Sequence, residues 1–364
     1  MKKIMNSVIA ITIVISVLIA SSCAVSAAPI DKKVTLGQAL EVVSKNNSIQ
    51  LFENQIANAQ KRLDYAKRKA EIADDSWNTD DERAEVKKVK ELIPVQKKDA
   101  LSILLLQKNE KISSLKIDTT KAYFEYLFTE EKMSSQINSI NRLNNKLKIL
   151  KDQVAAGSQL KSVVEETEVA IKTAEQQKDL IERDLSSLAI DLNSLLGRPL
   201  LSNINLAKQD VPMYEANNID TKEILSDRES KSSSILKALN DWNEAKIEYK
   251  IINFSSTKMI PDGLEEAEDK LLIAEYDYNK LLLDEENNVM TEYNELLNLR
   301  DDIDIKEMES NFNKKQMDIT KAKYNNGYIN IITYNDSIQK YEDSVIAYKR
   351  AKLDYYLASE KFHK

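Results

Sequence analysis

Few residues of this 364-residue chain are placed to do chemistry. His363 is the only histidine and stands one residue from the end, so it is read as neither ligand nor catalyst. No Ser/His/Asp set, phosphate-binding glycine loop or His-based metal motif is present. Carboxylate pairs occur everywhere on helices this charged, and none supports catalysis without a pocket. Two groupings remain. Asp301, Asp302 and Asp304 gather negative charge within about one helical turn; a solvated face is the plainer reading, an acidic ring at a constriction the sharper one. Tyr334, Tyr341, Tyr348 and Tyr355 recur every seven residues, which suits packing along one helix face better than a substrate path. Trp77 and Trp242 stand alone and read as local packing. The expectation is a protein with no catalytic, cofactor or metal site.

The amino terminus reads as an export signal. Met1-Lys2-Lys3 is positive, Val8 to Ala20 is apolar apart from Thr12 and Ser16, and Val25-Ser26-Ala27 fits a signal-peptidase site cleaving between Ala27 and Ala28. Ala20-Ser21-Ser22-Cys23 offers the alternative of lipid on Cys23, although the usual aliphatic residue three places before the cysteine is missing. Cys23 is the sole cysteine, so a chain cut after Ala27 has no disulfide or thiolate site. Removing Lys2 and Lys3 moves the charge from 52 − 59 = −7 to 50 − 59 = −9. An acidic balance with mixed charges argues against nucleic acid as a partner. Five glycines and 30% charged residues point to long solvated helices with few tight turns.

Those helices show in the apolar spacing. Met133, Ile137, Ile140, Leu143, Leu147, Leu150 and Val154 step by threes and fours, and Ala155-Ala156-Gly157-Ser158-Gln159 then breaks the pattern. Leu160, Val163, Thr167, Ala170 and Ala174 resume it, and Ile181, Leu188, Leu192 and Leu195 carry it on. Two such stripes about a tight turn predict an antiparallel coiled-coil hairpin. The same object recurs: Ile305, Met308, Phe312, Lys315, Ile319 and Ala322 run into Tyr324-Asn325-Asn326-Gly327, and Ile331, Tyr334, Ile338 and Tyr341 run back. Gly157 and Gly327 are 170 positions apart (327 − 157), as are Tyr123 and Tyr293 (293 − 123). Ala59 matches Ala245 at 186 (245 − 59), so the first unit holds about sixteen extra residues. Pro94 and Pro261 are expected to mark the far ends of long helices, each roughly 90–100 Å at 1.5 Å per residue. Shorter helices, about 160–196 and 331–362, return, and helices near 36–74 and 221–254 complete four columns. The division is signal peptide 1–27, first repeat 28–200, linker 201–220 and second repeat 221–364.

In this order the residues resemble the TolC outer-membrane efflux family over nearly the whole mature chain. Val34-Thr35-Leu36-Gly37-Gln38-Ala39-Leu40-Glu41 with Asn46-Asn47-Ser48-Ile49 is similar to that family's first helix. Gly157-Ser158 followed by Val163, Glu168 and Leu180, and the Leu195-Leu196-Gly197-Arg198-Pro199-Leu200 close, are similar to its first tip and repeat end. Gly327, Ile332-Thr333, Tyr348, Ala351, Asp354-Tyr355 and Ala358 resemble the second tip and final helix. The resemblance implies a homotrimeric all-α barrel that serves as an export duct. It also implies a membrane-fusion adaptor and an ABC or proton-driven inner-membrane transporter as partners. The adaptor would dock on the tips, Gly157, Ser158, Gln159 and Leu160 with Gly327, Tyr328, Ile329 and Asn330. The family inserts two β-strands per repeat to close a barrel in the outer membrane. Here the matching stretches, Asp74 to Ile93 and Ser255 to Gly263, supply no alternating run of about 9–11 residues, so those strands are expected to be absent or vestigial. The location implied is the cell envelope, the outer membrane by the resemblance, with the protein expected to lack a membrane barrel of its own. The alternative is a structural coiled-coil rod or interaction protein of the envelope with no transport activity.

Overall fold

The computed structural model describes residues 33–77, 79–212, 220–254 and 261–363. The signal segment with Cys23, Ala27 and Ala28, and most of the stretch from Ser255 to Gly263, lie outside the described residues. Nine α-helices are described: α1 Leu36–Val43, α2 Asn47–Ile72, α3 Asp80–Lys87, α4 Ile93–Ala155, α5 Lys161–Leu195, α6 Thr221–Lys231, α7 Ser233–Phe254, α8 Pro261–Asn325 and α9 Ile331–Phe362. Among the described residues no β-strand forms; there is one parallel bridge, between Val34 and Leu206.

Side chains that compete with the backbone set the helix starts. Thr35 and Gln38 form a reciprocal capping box on α1, each side chain meeting the other's backbone N–H at 3.3 and 3.1 Å. Asn46 caps α2, Thr79 caps α3, Asp220 caps α6 and Asn330 caps α9, each accepting from an orphan N–H of the first turn. Two expected single helices are therefore divided. The stretch 36–74 breaks at Ser44 to Asn46, and 221–254 breaks at Ser232, whose extended backbone separates α6 from α7.

Pro94 does not end the first long helix. The helical path continues back to Asp80 through one π-turn, Lys88–Leu92, in which the Ile93 N–H donates to the Lys88 carbonyl five residues earlier. Proline has no N–H to give and its ring crowds the preceding turn; widening that turn by one residue makes room for it. Pro261 is the first described residue of α8. The segment from Asp80 to Leu92 is thus helical, as its charge predicts.

The helices form four columns. The long α4 carries α5 on the tip half and α2 on the opposite half, and it packs in turn on α9 and α7. These two lie on α8, the other long helix, so the order is α2 and α5, then α4, then α7 and α9, then α8. At 63 and 65 residues, α4 and α8 are each about 95–100 Å long. Among the described residues the core has three parts. In the middle of α4, Tyr123 and Phe124 are fully buried among α1, the end of α5 and α9, each such side chain stabilising by about 1.5–3 kcal/mol. The Tyr123 hydroxyl lies 3.0 Å from the Val34 carbonyl and 2.7 Å from that of Ala207, pinning both sides of the bridge. A second cluster joins α8 to α9 through Val289, Leu296, Ile303, Ala351, Tyr355 and Phe362. Beside it Arg228 of α6 donates to the Phe362 carbonyl at 3.0 Å and pairs with Glu285 and Glu292, closing the last turn of α9.

Candidate docking tips and open helical edges

The two tips are built alike. After α4, Gly157 takes φ 73°, its N–H donates to the Val154 carbonyl at 3.0 Å, and the Ser158 N–H donates to Gln153 at 2.9 Å. After α8, Gly327 takes φ 76°, donating to Tyr324 at 2.9 Å, while Tyr328 donates to Lys323 at 2.9 Å. Both are Schellman turns, which need a residue in the left-handed region at the glycine position. Gly197 closes α5 the same way. A Cβ on Gly157 or Gly327 would meet nothing within 4 Å, so the backbone angle alone asks for glycine.

All the expected tip residues cluster at one end. Gly157, Ser158, Gln159 and Leu160 are exposed, as are Gly327, Tyr328 and Asn330, while Ile329 is half-buried. Leu160 and Tyr328 are apolar and 71% and 80% exposed. Asn330 is occupied in capping α9, holding the Thr333 N–H at 2.9 Å. One apolar cluster beneath draws on both hairpins: Leu143, Ile171 and Ala174 from the first, Ile331, Tyr324 and Tyr334 from the second. Tyr324 stacks on Tyr334 at 5.1 Å, and burial, with the neighbouring phenol, raises the Tyr324 pKa. Polar ties hold the hairpins in register just above: Arg142 donates to Asn335 at 2.7 Å, and Lys349 pairs with Glu131 at 2.6 Å.

The other sequence candidates fall to packing. Tyr355 is buried, Tyr334 stacks, and Tyr341 and Tyr348 are half-buried along the same helix. Asp301 and Asp304 are exposed, and Asp301 pairs with Arg300 at 3.3 Å, as on a solvated face. Among the described residues no group of histidine, cysteine and carboxylates fits a metal ion. Trp242 stacks on Tyr278 at 5.5 Å, and the Arg83 guanidinium lies 5.1 Å over Trp77.

The edges hold what the spacing did not place. Ile305, Met308, Phe312 and Ile319, the apolar stripe leading to the second tip, are 49–72% exposed. The face of α8 that meets its neighbours is instead Val289, Leu296, Ile303 and Ser310, also seven residues apart. The outward stripe continues up the helix through Leu272, Tyr276, Leu283 and Met290. An α-helix with apolar positions on two faces needs two partners, and α8 has one side covered. On the opposite edge of the layer, α2 exposes Leu51, Tyr65 and Ile72, and α5 exposes Val169, Leu180 and Ile190. Two heptad lines on α8 were the signal available in the sequence.

Comparison with known proteins is decisive for shape alone. No protein-family model matches the sequence, and no curated protein matches it. Among solved structures, the outer membrane protein VceC from Vibrio cholerae is 12% identical, with a TM-score of 0.62 over 90% of this chain and 94% of its own. The Campylobacter jejuni CmeC outer membrane channel is 12% identical, with a TM-score of 0.63 over 90% and 85%. The open state of the Neisseria gonorrhoeae MtrE outer membrane channel is 13% identical, with a TM-score of 0.61 over 90% and 88%. Among the described residues no helix is long and apolar enough to cross a membrane. The four columns, the paired glycine turns and these matches together give this chain the all-α fold of the helical part of TolC-family outer-membrane channels.

Proposed function

We propose that the chain is one subunit of a homotrimeric helical duct that carries cargo across a cell envelope, and that it is not an enzyme. Its repeats, 28–200 and 221–364 joined by 201–220, supply four columns each copy, and neighbouring copies cover the edge stripes. The mature chain begins at Ala28 after cleavage behind Ala27. The tips, Gly157 to Leu160 and Gly327 to Asn330, dock on a membrane-fusion adaptor that links the duct to an ABC or proton-driven inner-membrane transporter. The observation that carries this reading is the uncovered apolar stripe of α8, Leu272 to Met290 and Ile305 to Ile319, on a fold shared with solved outer-membrane channels. The exposed Leu160 and Tyr328, held on rigid Schellman turns, support docking at the tips.

The test separates docking from folding. Leu160→Asp with Ile329→Asp leaves both glycine turns intact and puts charge on the tip surface. The variant is expected to keep its helical circular dichroism and its oligomeric mass while losing adaptor crosslinking and export. Retention of both, or a wild-type chain that captures no adaptor, would leave the tips as plain turns and favour a structural rod of the envelope.

A further inference from the structure

Away from the tips, the two edges of the layer carry opposite charge. On α2, the exposed Tyr65 and Ile72 are flanked by Lys61, Arg62, Arg68 and Lys69, all exposed. On α8, the line of Leu272 and Tyr276 is led by Glu265, Glu268 and Asp269, also exposed. At about 100° per residue, Tyr65 and Ile72 point away from Leu63 and Ala66, which face the core; Glu265, Asp269, Leu272 and Tyr276 point away from the buried Ala267.

The two segments sit at the same height. The Glu53–Lys108 pair at 2.8 Å ties α2 to α4, Glu110 accepts from the Ser233 N–H at 2.7 Å to tie α4 to α7, and the Trp242–Tyr278 stack ties α7 to α8. Counting along the helices from those ties brings Tyr65 level with Leu272 and Tyr276. Since α2 runs away from the tips and α8 runs toward them, the segments are antiparallel. Each edge has charge to spare. Glu266 pairs with Lys270 at 3.0 Å, whereas Glu265, Glu268 and Asp269 form no ion pair among the described residues, nor do Lys61, Arg62 and Lys69. Elsewhere the chain pairs its charges freely along and between helices.

We propose that the basic edge of α2 docks on the acidic edge of α8 of a second copy of this chain, so that charge sets the partner and the register of ring closure. The inference rests on the self-assembly in the proposed function and names the surface and its chemistry. One copy presents unlike edges on its two sides, so the contact is head-to-tail and closes into a ring when the rotation permits. The apolar seam of Tyr65, Ile72, Leu272 and Tyr276 supplies contact area; the flanking ion pairs are solvated, individually weak, and screened by salt. Their work is selection: like edges repel, so α2 cannot meet α2 and α8 cannot meet α8.

The mature chain is compared by sedimentation velocity at low and high salt with three variants. One reverses α8 (Glu265→Lys, Glu268→Lys, Asp269→Lys), one reverses α2 (Lys61→Glu, Arg62→Glu, Arg68→Glu, Lys69→Glu), and one combines both. Each single-edge reversal should weaken assembly about tenfold or more at unchanged helicity, and high salt should weaken the wild type similarly. The combined variant, whose edges are complementary again, should assemble as the wild type does. Wild-type assembly that both single reversals leave intact overturns the α2–α8 contact while the duct reading stands, as does a combined variant that fails to recover. A wild type that is monomeric at every concentration overturns both.

Discussion

The first hairpin and the second are repeats that meet the same turn chemistry and opposite surroundings. In the first, α4 sits inside the layer, with α2 and α5 on one side and α7 and α9 on the other. In the second, α8 sits at the edge and meets neighbours on one side. The consequence is read in the apolar stripes that lead to the two tips. Leu143 and Leu150 on the α4 stripe are buried at 3%, while Met308 and Phe312 on the α8 stripe are 72% and 59% exposed. A repeated heptad therefore fixes that a helix has an apolar line, and position in the column order decides what that line touches. The layer has to end somewhere, and it ends on a stripe still waiting for a partner.

The largest expected effect breaks this comparison directly. Phe124→Ala removes a fully buried ring from the α4 core and should cost about 3–5 kcal/mol, seen as a lower urea midpoint of the isolated chain. Phe312→Ala on α8 removes an exposed ring and should shift the isolated chain by about 0.5 kcal/mol or less, yet reduce self-association. Equal destabilisation by the two variants would mean that the α8 stripe is covered within one copy.

A smaller effect sharpens the contrast through charge. Burial works against the charged form of Glu292, but hydrogen bonds from Lys361 and Arg228 and the charges of both outweigh it, so its pKa is lowered. A carboxylate depressed in the folded state contributes stability above its unfolded pKa, and that contribution is lost as pH falls through the folded value. The Arg228–Glu292 site should therefore fail on acidification, and Glu292→Gln should flatten the acid limb of a stability–pH curve. In the first repeat Glu130 has its pKa raised, by burial, with Lys208 and Lys33 opposing. Its folded state prefers the neutral acid, so Glu130→Gln should stabilise most above the ordinary carboxylate range and little below it. A Glu292→Gln variant with an unchanged acid limb would remove Arg228 from the account of how α9 is closed.

Much of this was legible in the residues, for reasons that particular positions make clear. Gly157 and Gly327 announce the tips because a left-handed residue has a composition signal. The charged stretch from Asp80 reads as helix since nothing in it alternates. Pro94 misled, because a proline inside a helix and a proline at its start look alike, and the π-turn that accommodates it is set by geometry around Lys88. The outward stripe was legible as a stripe but not as an edge: which of two heptad lines on α8 faces inward depends on how α7 and α9 pack on it, and no spacing within α8 records that. The Arg228 cluster, joining residues as distant as 228 and 362, left no local trace.

The smallest expected effect tests where the hairpins are the same. Gly157 and Gly327 share φ to within a few degrees, the same two turn hydrogen bonds and open space where a Cβ would stand. Substituting Ala at either should then cost the left-handed penalty alone, about 1 kcal/mol, and the two losses should agree. Asn at the same positions should cost less, since its short polar side chain tolerates that region. The check is the thermal or urea midpoint of the four single variants, measured below the concentration at which copies assemble so that edges do not enter. Matched losses at the tips beside unmatched losses at Phe124 and Phe312 would place the difference between the hairpins in their surroundings. A Gly327 loss several times that of Gly157 would instead mean that the second tip is held by contacts the first one lacks, and that the repeats have diverged in the turn as well as at the edge.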